Sequence, residues 1–214
     1  MLFIGKKHFL MLCDAYLFLK FNNSLVYPIF RGENANFIPI ENSAMPISNA
    51  LQFATCDLCD AHKNDVSGDF KVLPPVFENF GAVEKFCGEI VTIKCFEDNS
   101  LVKAAVDSAG HRRVLVVDGG ASLRRALLGG NLGAAAAKNG WAGVVIDGCV
   151  RDVAELAQCS IGIRALAAMP LPTEKRGEGQ REVTVQIQGV WIRPGDWLYA
   201  DEDGMVVMPA PTIA

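Results

Sequence analysis

No long run of lysine and arginine occurs in this chain, whose 20 basic and 24 acidic side chains leave a formal charge of −4 over 214 residues. The basic footprint of a nucleic-acid binder is missing, so no direct contact with RNA or DNA is expected. Neither G-x-G-x-x-G nor G-x-x-x-x-G-K-[ST] is present, which argues against a glycine-rich nucleotide cradle. Histidine is scarce: His8, His62 and His111 lie far apart and none has H-x-x-x-H spacing, so a histidine-built zinc site is not expected. A G-x-S-x-G elbow is absent too, leaving an α/β-hydrolase triad without support. The apolar stretch HFLMLCDAYLFLKF contains Asp14 and Lys20 and falls short of the ~20 uninterrupted apolar residues of a membrane helix. No membrane partner follows from it.

The 7 cysteines are odd in number and sit mostly in apolar runs such as IVTIKCF, as small buried hydrophobes do in a reducing compartment. A cytoplasmic location is the expectation. CDLC, from Cys56 to Cys59, has the spacing of half a zinc site or of a redox pair, but no second pair and no Cys-His partner follows it. Its expected role is structural.

Two textures divide the chain. Residues 1–44 are aromatic and apolar, then polar and irregular in RGENANFIPIENSA, and a second methionine, Met45, follows. No small-residue cleavage site follows promptly, and the Arg and Ser enrichment of an organellar presequence is lacking. The segment is read as a poorly packed accessory extension, with the domain proper spanning 45–214.

From Met45 onward an α/β pattern is expected. ATCDLCDAHKN places Leu58 and Ala61 on one helical face behind Thr55 as N-cap, and the Pro74-Pro75 pair forces extended chain. EIVTIKCFE reads as a strand, NSLVKAAVDSAG as a helix, RRVLVVDGG and AGVVIDG as buried strands, and SLRRALLGG and NLGAAAAKNG as short helical pieces. RDVAELAQC reads as a helix and GIRALAAMP as a strand. After the polar loop KRGEGQ the pattern turns to β-strands separated by Pro-Gly-Asp and Asp-Gly turns. An α/β half thus meets a β-rich half.

Chemistry concentrates in GGNLGAAAAKNGWAGVVIDGCVRDVAE, residues 129–155. Arg151 ends a buried strand, Asp152 and Glu155 share one helical face, and ligands of open α/β sheets bind at such strand ends. Two readings stay open. In one, Asp152 is an N-cap with Glu155 as its capping-box partner. In the other, an Arg fork for a carboxylate, a carboxylate for a hard cation, and free backbone N–H groups at Gly129–Leu132 form an oxo-acid site. Lys138, in the last turn of its segment, reads as a solvated dipole partner rather than a Schiff-base lysine.

In these segments the chain resembles the RraA-like proteins (regulators of ribonuclease E activity A) and their relatives, the metal-dependent 4-hydroxy-4-methyl-2-oxoglutarate aldolases. The likeness runs from about Thr55 to Met208 and includes TCDLCDAH, RVLVVDGGASLRRALLGGNL, NGWAGVVIDGCVRDVAEL and PGDWLYADEDGMVV. It implies a compact swivelling β/β/α domain with a central mixed sheet, assembled as a homotrimer or hexamer. By resemblance Arg151 and Asp152 are catalytic, Arg151 holding the substrate's carboxyl or keto end and Asp152 a divalent cation, Mg2+ or Mn2+. Gly129, Gly130, Asn131 and Leu132 match the turn that cradles a small 2-oxo-acid. The aldolase branch carries an acidic residue, twenty spacer residues and then Arg-Asp, and here the acidic position is Gly130. The implied activity is a lyase that cleaves 4-hydroxy-4-methyl-2-oxoglutarate and decarboxylates oxaloacetate, weakened at Gly130 unless Asp118 or Asp147 substitutes. The alternative it implies is a non-catalytic regulator that binds a ribonuclease or RNA helicase.

Overall fold

The computed structural model describes residues 52–211 throughout and, before them, four strands. The chain divides into two units, Met1–Ala44 and Met45–Ala214. In the first, β1 (Leu2–Phe3), β2 (His8–Cys13), β3 (Tyr16–Phe21) and β4 (Val26–Ile29) form an antiparallel sheet in that order. The polar stretch RGENANFIPIENSA lies outside the described residues.

The second unit opens with α1 (Thr55–His62), β5 (Lys71–Val72), β6 (Glu78–Asn79) and β7 (Phe86–Lys94). Thr55 is not the N-cap expected of it. Ala54 takes that place, while the Thr55 N–H and hydroxyl both donate to the buried Asp201 carboxylate, at 2.7 and 2.6 Å. Then come α2 (Ser100–Val106), β8 (Val114–Leu128), α3 (Gly130–Lys138), β9 (Gly143–Val150), α4 (Val153–Leu156) and β10 (Gly162–Ala168). The β-rich end supplies β11 (Gln180–Arg181), β12 (Val185–Ile187), β13 (Val190–Ile192), β14 (Trp197–Ala200) and β15 (Met205–Met208).

Neighbours in the main sheet run β5-β15-β14-β7-β8-β9-β10-β6, with β11 beside β7, and a separate hairpin joins β12 to β13. The centre, β7 to β10, is parallel; the flanks are antiparallel. This is the mixed sheet of the expected β/β/α architecture.

Both faces of the parallel centre are buried, which is why its strands are continuous apolar runs rather than alternating ones. Along β8, Leu115 and Val117 face a layer with Val102 and Val106 of α2, Ala136 of α3 and Leu156 of α4. Val114 and Val116 face the other way, onto Val185, Ile187 and Ile192 of the hairpin and Leu198 of β14. Each of the fully buried Val, Leu and Ile side chains contributes about 1.5–3 kcal/mol.

SLRRALL was expected to be helical, and here the structure differs. β8 runs for 15 residues through it. Its pairing with β9 shifts register between Asp118 and Ser122, where Gly120 and Ala121 have φ of 64° and 52°, and again before Ala126 and Leu128. The strand survives because Ala126 and Leu128 pair with Cys149 and Val150 and are buried there, so tertiary pairing overrides the local helical spacing.

Candidate functional site

The register just described delivers the site. Leu128 of β8 lies opposite Val150 of β9, so the next residues, Gly129-Gly130 and Arg151-Asp152, leave the sheet side by side. The Arg151 N–H donates to the Leu128 carbonyl at 2.9 Å and ties the two exits together. The crevice lies at the carboxyl ends of parallel strands, where open α/β sheets bind ligands.

Asp152 adopts a left-handed backbone, φ 57° and ψ 45°, and makes no side-chain cap to α4. This removes the capping-box reading. Its Oδ2 instead accepts from the Gly130 N–H at 3.2 Å and lies 3.4 Å from Arg151 Nε. A non-glycine residue at positive φ is costly, and such strain collects at functional sites. Here it turns the carboxylate away from its own helix toward the start of α3.

The two glycines are bare because carboxylates occupy the space beside them. A Cβ on Gly129 would stand 2.6 Å from Asp152 Oδ2, and one on Gly130 would stand 1.8 Å from Glu155 Oε2. The position where the sequence lacks an acid is therefore occupied by one, delivered from α4. The Glu155 carboxylate fills the space that a Gly130 side chain would enter. Sequence reading placed Glu155 on a face with Asp152 but gave no sign that it reaches Gly130, because that contact depends on how α3 and α4 meet.

Asp118 and Asp147, the other carboxylates considered for this place, do not line the cleft between the two strand exits. They sit in register on β8 and β9, buried, with Asp118 3.3 Å from Lys94 and Asp147 Oδ1 accepting from Gln188 at 2.8 Å. Burial raises the Asp147 carboxyl above its ordinary value; the nearby Asp118 adds to this and the Gln188 hydrogen bond opposes it.

A cleft of about 290 Å³ opens here, lined by Gly129, Asn131, Leu132, Arg151 and Asp152 from the two strand exits. Four of the family-matched turn and Arg-Asp positions besides Gly129 thus meet in one cavity, while Gly130 stays buried behind Glu155. Two carboxylates are hard oxygen donors of the kind Mg2+ and Mn2+ take. Among the described residues no group of three or more His, Cys, Asp or Glu side chains is poised for a metal.

The rest of the lining comes from the start of α2 and from the loop after β10, through Asn99, Lys103, Pro172, Thr173 and Lys175. Asp98 fixes that loop: its carboxylate accepts from the N–H groups of Ser100 at 2.7 Å, Arg176 at 2.7 Å and Glu178 at 3.1 Å. Burial alone would raise this carboxyl, but the Ser100 side-chain hydrogen bond and the three backbone donors outweigh it and hold it well below the usual range. The sequence marked KRGEGQ only as a polar loop.

The other expectations are quickly placed. Cys56, Cys59, Cys95, Cys149 and Cys159 are free thiols, and burial pushes the Cys95 thiol up to about 12. Burial likewise raises Cys59, while hydrogen bonding to Asp203 raises Cys56, so neither thiol of CDLC is activated. Lys138 is exposed at the end of α3. Among the described residues no helix is long and apolar enough to cross a membrane.

Comparison with known proteins agrees with this architecture. The family profile described as RraA-like: Aldolase/RraA matches residues 55–207. A protein of Albidiferax ferrireducens provisionally named 4-hydroxy-4-methyl-2-oxoglutarate aldolase is 76% identical over 163 residues, 72% of this chain and 94% of its own length. A Paraburkholderia phymatum protein of the same name is 54% identical over 164 residues, 76% of this chain and all of its own. Among solved structures, the RNA-processing inhibitor RraA from Thermus thermophilis is 44% identical with a TM-score of 0.72, covering 76% of this chain and 96% of that one. On residues 55–207, this chain belongs to the RraA-like (Aldolase/RraA) family.

Proposed function

We propose that the protein is a divalent-metal-dependent lyase acting on short 2-oxo-acids. It cleaves 4-hydroxy-4-methyl-2-oxoglutarate to pyruvate by a retro-aldol step and decarboxylates oxaloacetate through the same enolate. The observation that carries this reading is the pair of carboxylates, Asp152 and Glu155, seated against Gly129 and Gly130 beside Arg151. The aldolase names of the relatives support it.

Asp152 would hold Mg2+ or Mn2+, with Glu155 beside it. When bound, the cation supplies Lewis-acid stabilisation of negative charge developing on the keto oxygen. Arg151 presents its guanidinium to the carboxylate and keto end of the substrate and fixes its orientation. The absence of side chains on Gly129 and Gly130 leaves room for the Asp152 and Glu155 carboxylates. Glu155, directly or through one water, takes the proton of the 4-hydroxyl as the C3–C4 bond breaks. The released electron pair becomes the enolate, and return of a proton to C3 yields pyruvate. Such general acid-base help is worth about 10²–10⁴-fold. In oxaloacetate the same bond breaks with CO2 as the departing group. Exposed Phe96, Leu123 and Leu171 support self-association as a homotrimer or hexamer.

Incubation with oxaloacetate and Mg2+ or Mn2+, following pyruvate, tests this reading. Turnover is expected to disappear with a chelator and in Asp152→Ala. A wild-type protein inert with both metals would overturn it. A second reading, a non-catalytic regulator that binds a ribonuclease or RNA helicase, is favoured by the likeness to an RNA-processing inhibitor. That inert outcome would leave it standing.

A further inference from the structure

A second cavity, of about 580 Å³, lies at the antiparallel flank of the sheet and shares no lining residue with the cleft at Asp152. Its volume falls within the roughly 300–1,000 Å³ of ordinary small-molecule sites. Leu73, Pro74, Phe77 and Met205 give it an apolar wall, and Arg164 of β10 stands on its polar side.

Arg164 is only 7% exposed, and no carboxylate is in ion-pair contact with it among the described residues. Buried charges are nearly always paired, because an uncompensated one is costly. Its Nη2 donates to the Glu84 and Asp201 carbonyls, each at 2.9 Å, which fixes the guanidinium in place. Nε and Nη1 donate to nothing among the described residues. Unlike the sealed Asn99 and Thr173 oxygens, both nitrogens keep accessible surface, so a molecule in the cavity can reach them. Burial pulls the guanidinium below its ordinary value, while the charges of Glu84, Asp201 and Glu202 act the other way without touching it.

The other polar groups of the lining are acidic. Asp201 is committed to Thr55, and Asp203 accepts from the Cys56 thiol at 3.4 Å. Glu84 and Glu202 are exposed, and their carboxylates have no partner among the described residues. A simple anion would meet Arg164 but be repelled by these carboxylates, and a simple cation would meet the reverse. A small molecule with both charges and an apolar body matches every wall. We infer that this cavity binds an α-amino acid with an apolar side chain. The ligand carboxylate accepts from Arg164 Nε or Nη1, its ammonium faces Glu84 and Glu202, and its side chain packs on Leu73, Phe77 and Met205. The site is independent of the lyase reading.

The test titrates the full chain, by calorimetry or NMR, with L-leucine and two truncated forms of it: 3-methylbutylamine, which lacks the carboxylate, and 4-methylpentanoate, which lacks the ammonium. Leucine is expected to bind about ten- to hundredfold more tightly than the amine, the range of a hydrogen bond to a charged group. Its advantage over 4-methylpentanoate should be about two- to fivefold, as for a solvent-exposed ion pair. Arg164→Gln should remove the preference over the amine, and Arg164→Lys should keep part of it. The double variant Glu84→Gln/Glu202→Gln changes only exposed side chains, so it carries the test even if the Arg164 variants do not fold. It should bring leucine down to the affinity of 4-methylpentanoate, which itself does not fall. Absence of saturable leucine binding, equal affinity for all three ligands, or a double variant that leaves leucine unaffected or weakens all three alike would overturn the site.

Discussion

The contact between Gly130 and Glu155 makes opposite demands on stability and activity, and so can be taken apart. In Gly130→Ala the new Cβ falls 1.8 Å from Glu155 Oε2 and 2.8 Å from both Cβ and Cδ of the same residue. Swinging the carboxylate away relieves only the first of these. The Glu155 Cβ is fixed to α4, so α3 and α4 must also part. Overpacking of this kind costs about 1–3 kcal/mol, which at roughly 2–4 °C per kcal/mol lowers Tm by about 2–12 °C. Displacing the carboxylate should cost about 10²–10⁴-fold in metal-dependent turnover. Glu155→Ala is expected to show the same loss of turnover with little change in Tm, since the side chain is exposed. Combining the two should restore only part of the lost Tm, because the carboxylate is gone but the Cβ at position 155 stays 2.8 Å from the new one, and should not restore turnover. Gly130→Asp in the Glu155→Ala background places a carboxylate in the same space from the opposite helix and should recover part of the rate. Differential scanning fluorimetry and pyruvate release from oxaloacetate read both quantities. Glu155→Ala with wild-type turnover, or Gly130→Ala with wild-type Tm and turnover, would refute the reasoning.

Three further outcomes are expected. Burial raises Asp147 in the folded state, so its ionised form opposes folding at neutral pH; Asp147→Asn should raise Tm at pH 7, with the gain vanishing as pH falls below the unfolded value of about 3.9. Asp98 is held low, so its contribution is present above that value and lost in acid, and Asp98→Asn should lower Tm most at neutral pH. A chain beginning at Met45 should keep the Tm and oligomer size of the full chain, checked by fluorimetry and light scattering; a large loss of either would show that residues 1–44 contribute to the fold.

The parallel strands were legible because burial on both faces leaves no polar alternation, and VLVV and GVVI carry that mark directly. SLRRALL misled for the converse reason: its Leu and Ala spacing satisfies a helix locally, and only pairing with Cys149 and Val150 decides for strand. Arg151 and Asp152 were visible as a strand exit. The capping alternative could not be dismissed without the backbone, since it fails on one dihedral pair at Asp152. Glu155 was marked beside Asp152 but not its contact with Gly130, whereas Asn99, Thr173 and Lys175 carried no signal because they reach the cleft through packing between distant segments.

The crossover between Gly130 and Arg151 behaves as a ruler. Its upper end is fixed by Leu128 opposite Val150, and its lower turn is pinned as well, with the Gly110 N–H on the Asn139 carbonyl at 2.8 Å and the Arg112 N–H on the Gly140 carbonyl at 2.7 Å. An extra residue in β9 would flip every later side chain across the sheet. One in the lower turn would have to break bonds to the segment that feeds β8. The interval therefore has no slack at either end, and changes of chain length should be tolerated in the loop after β10 far more readily than between the two halves of the site.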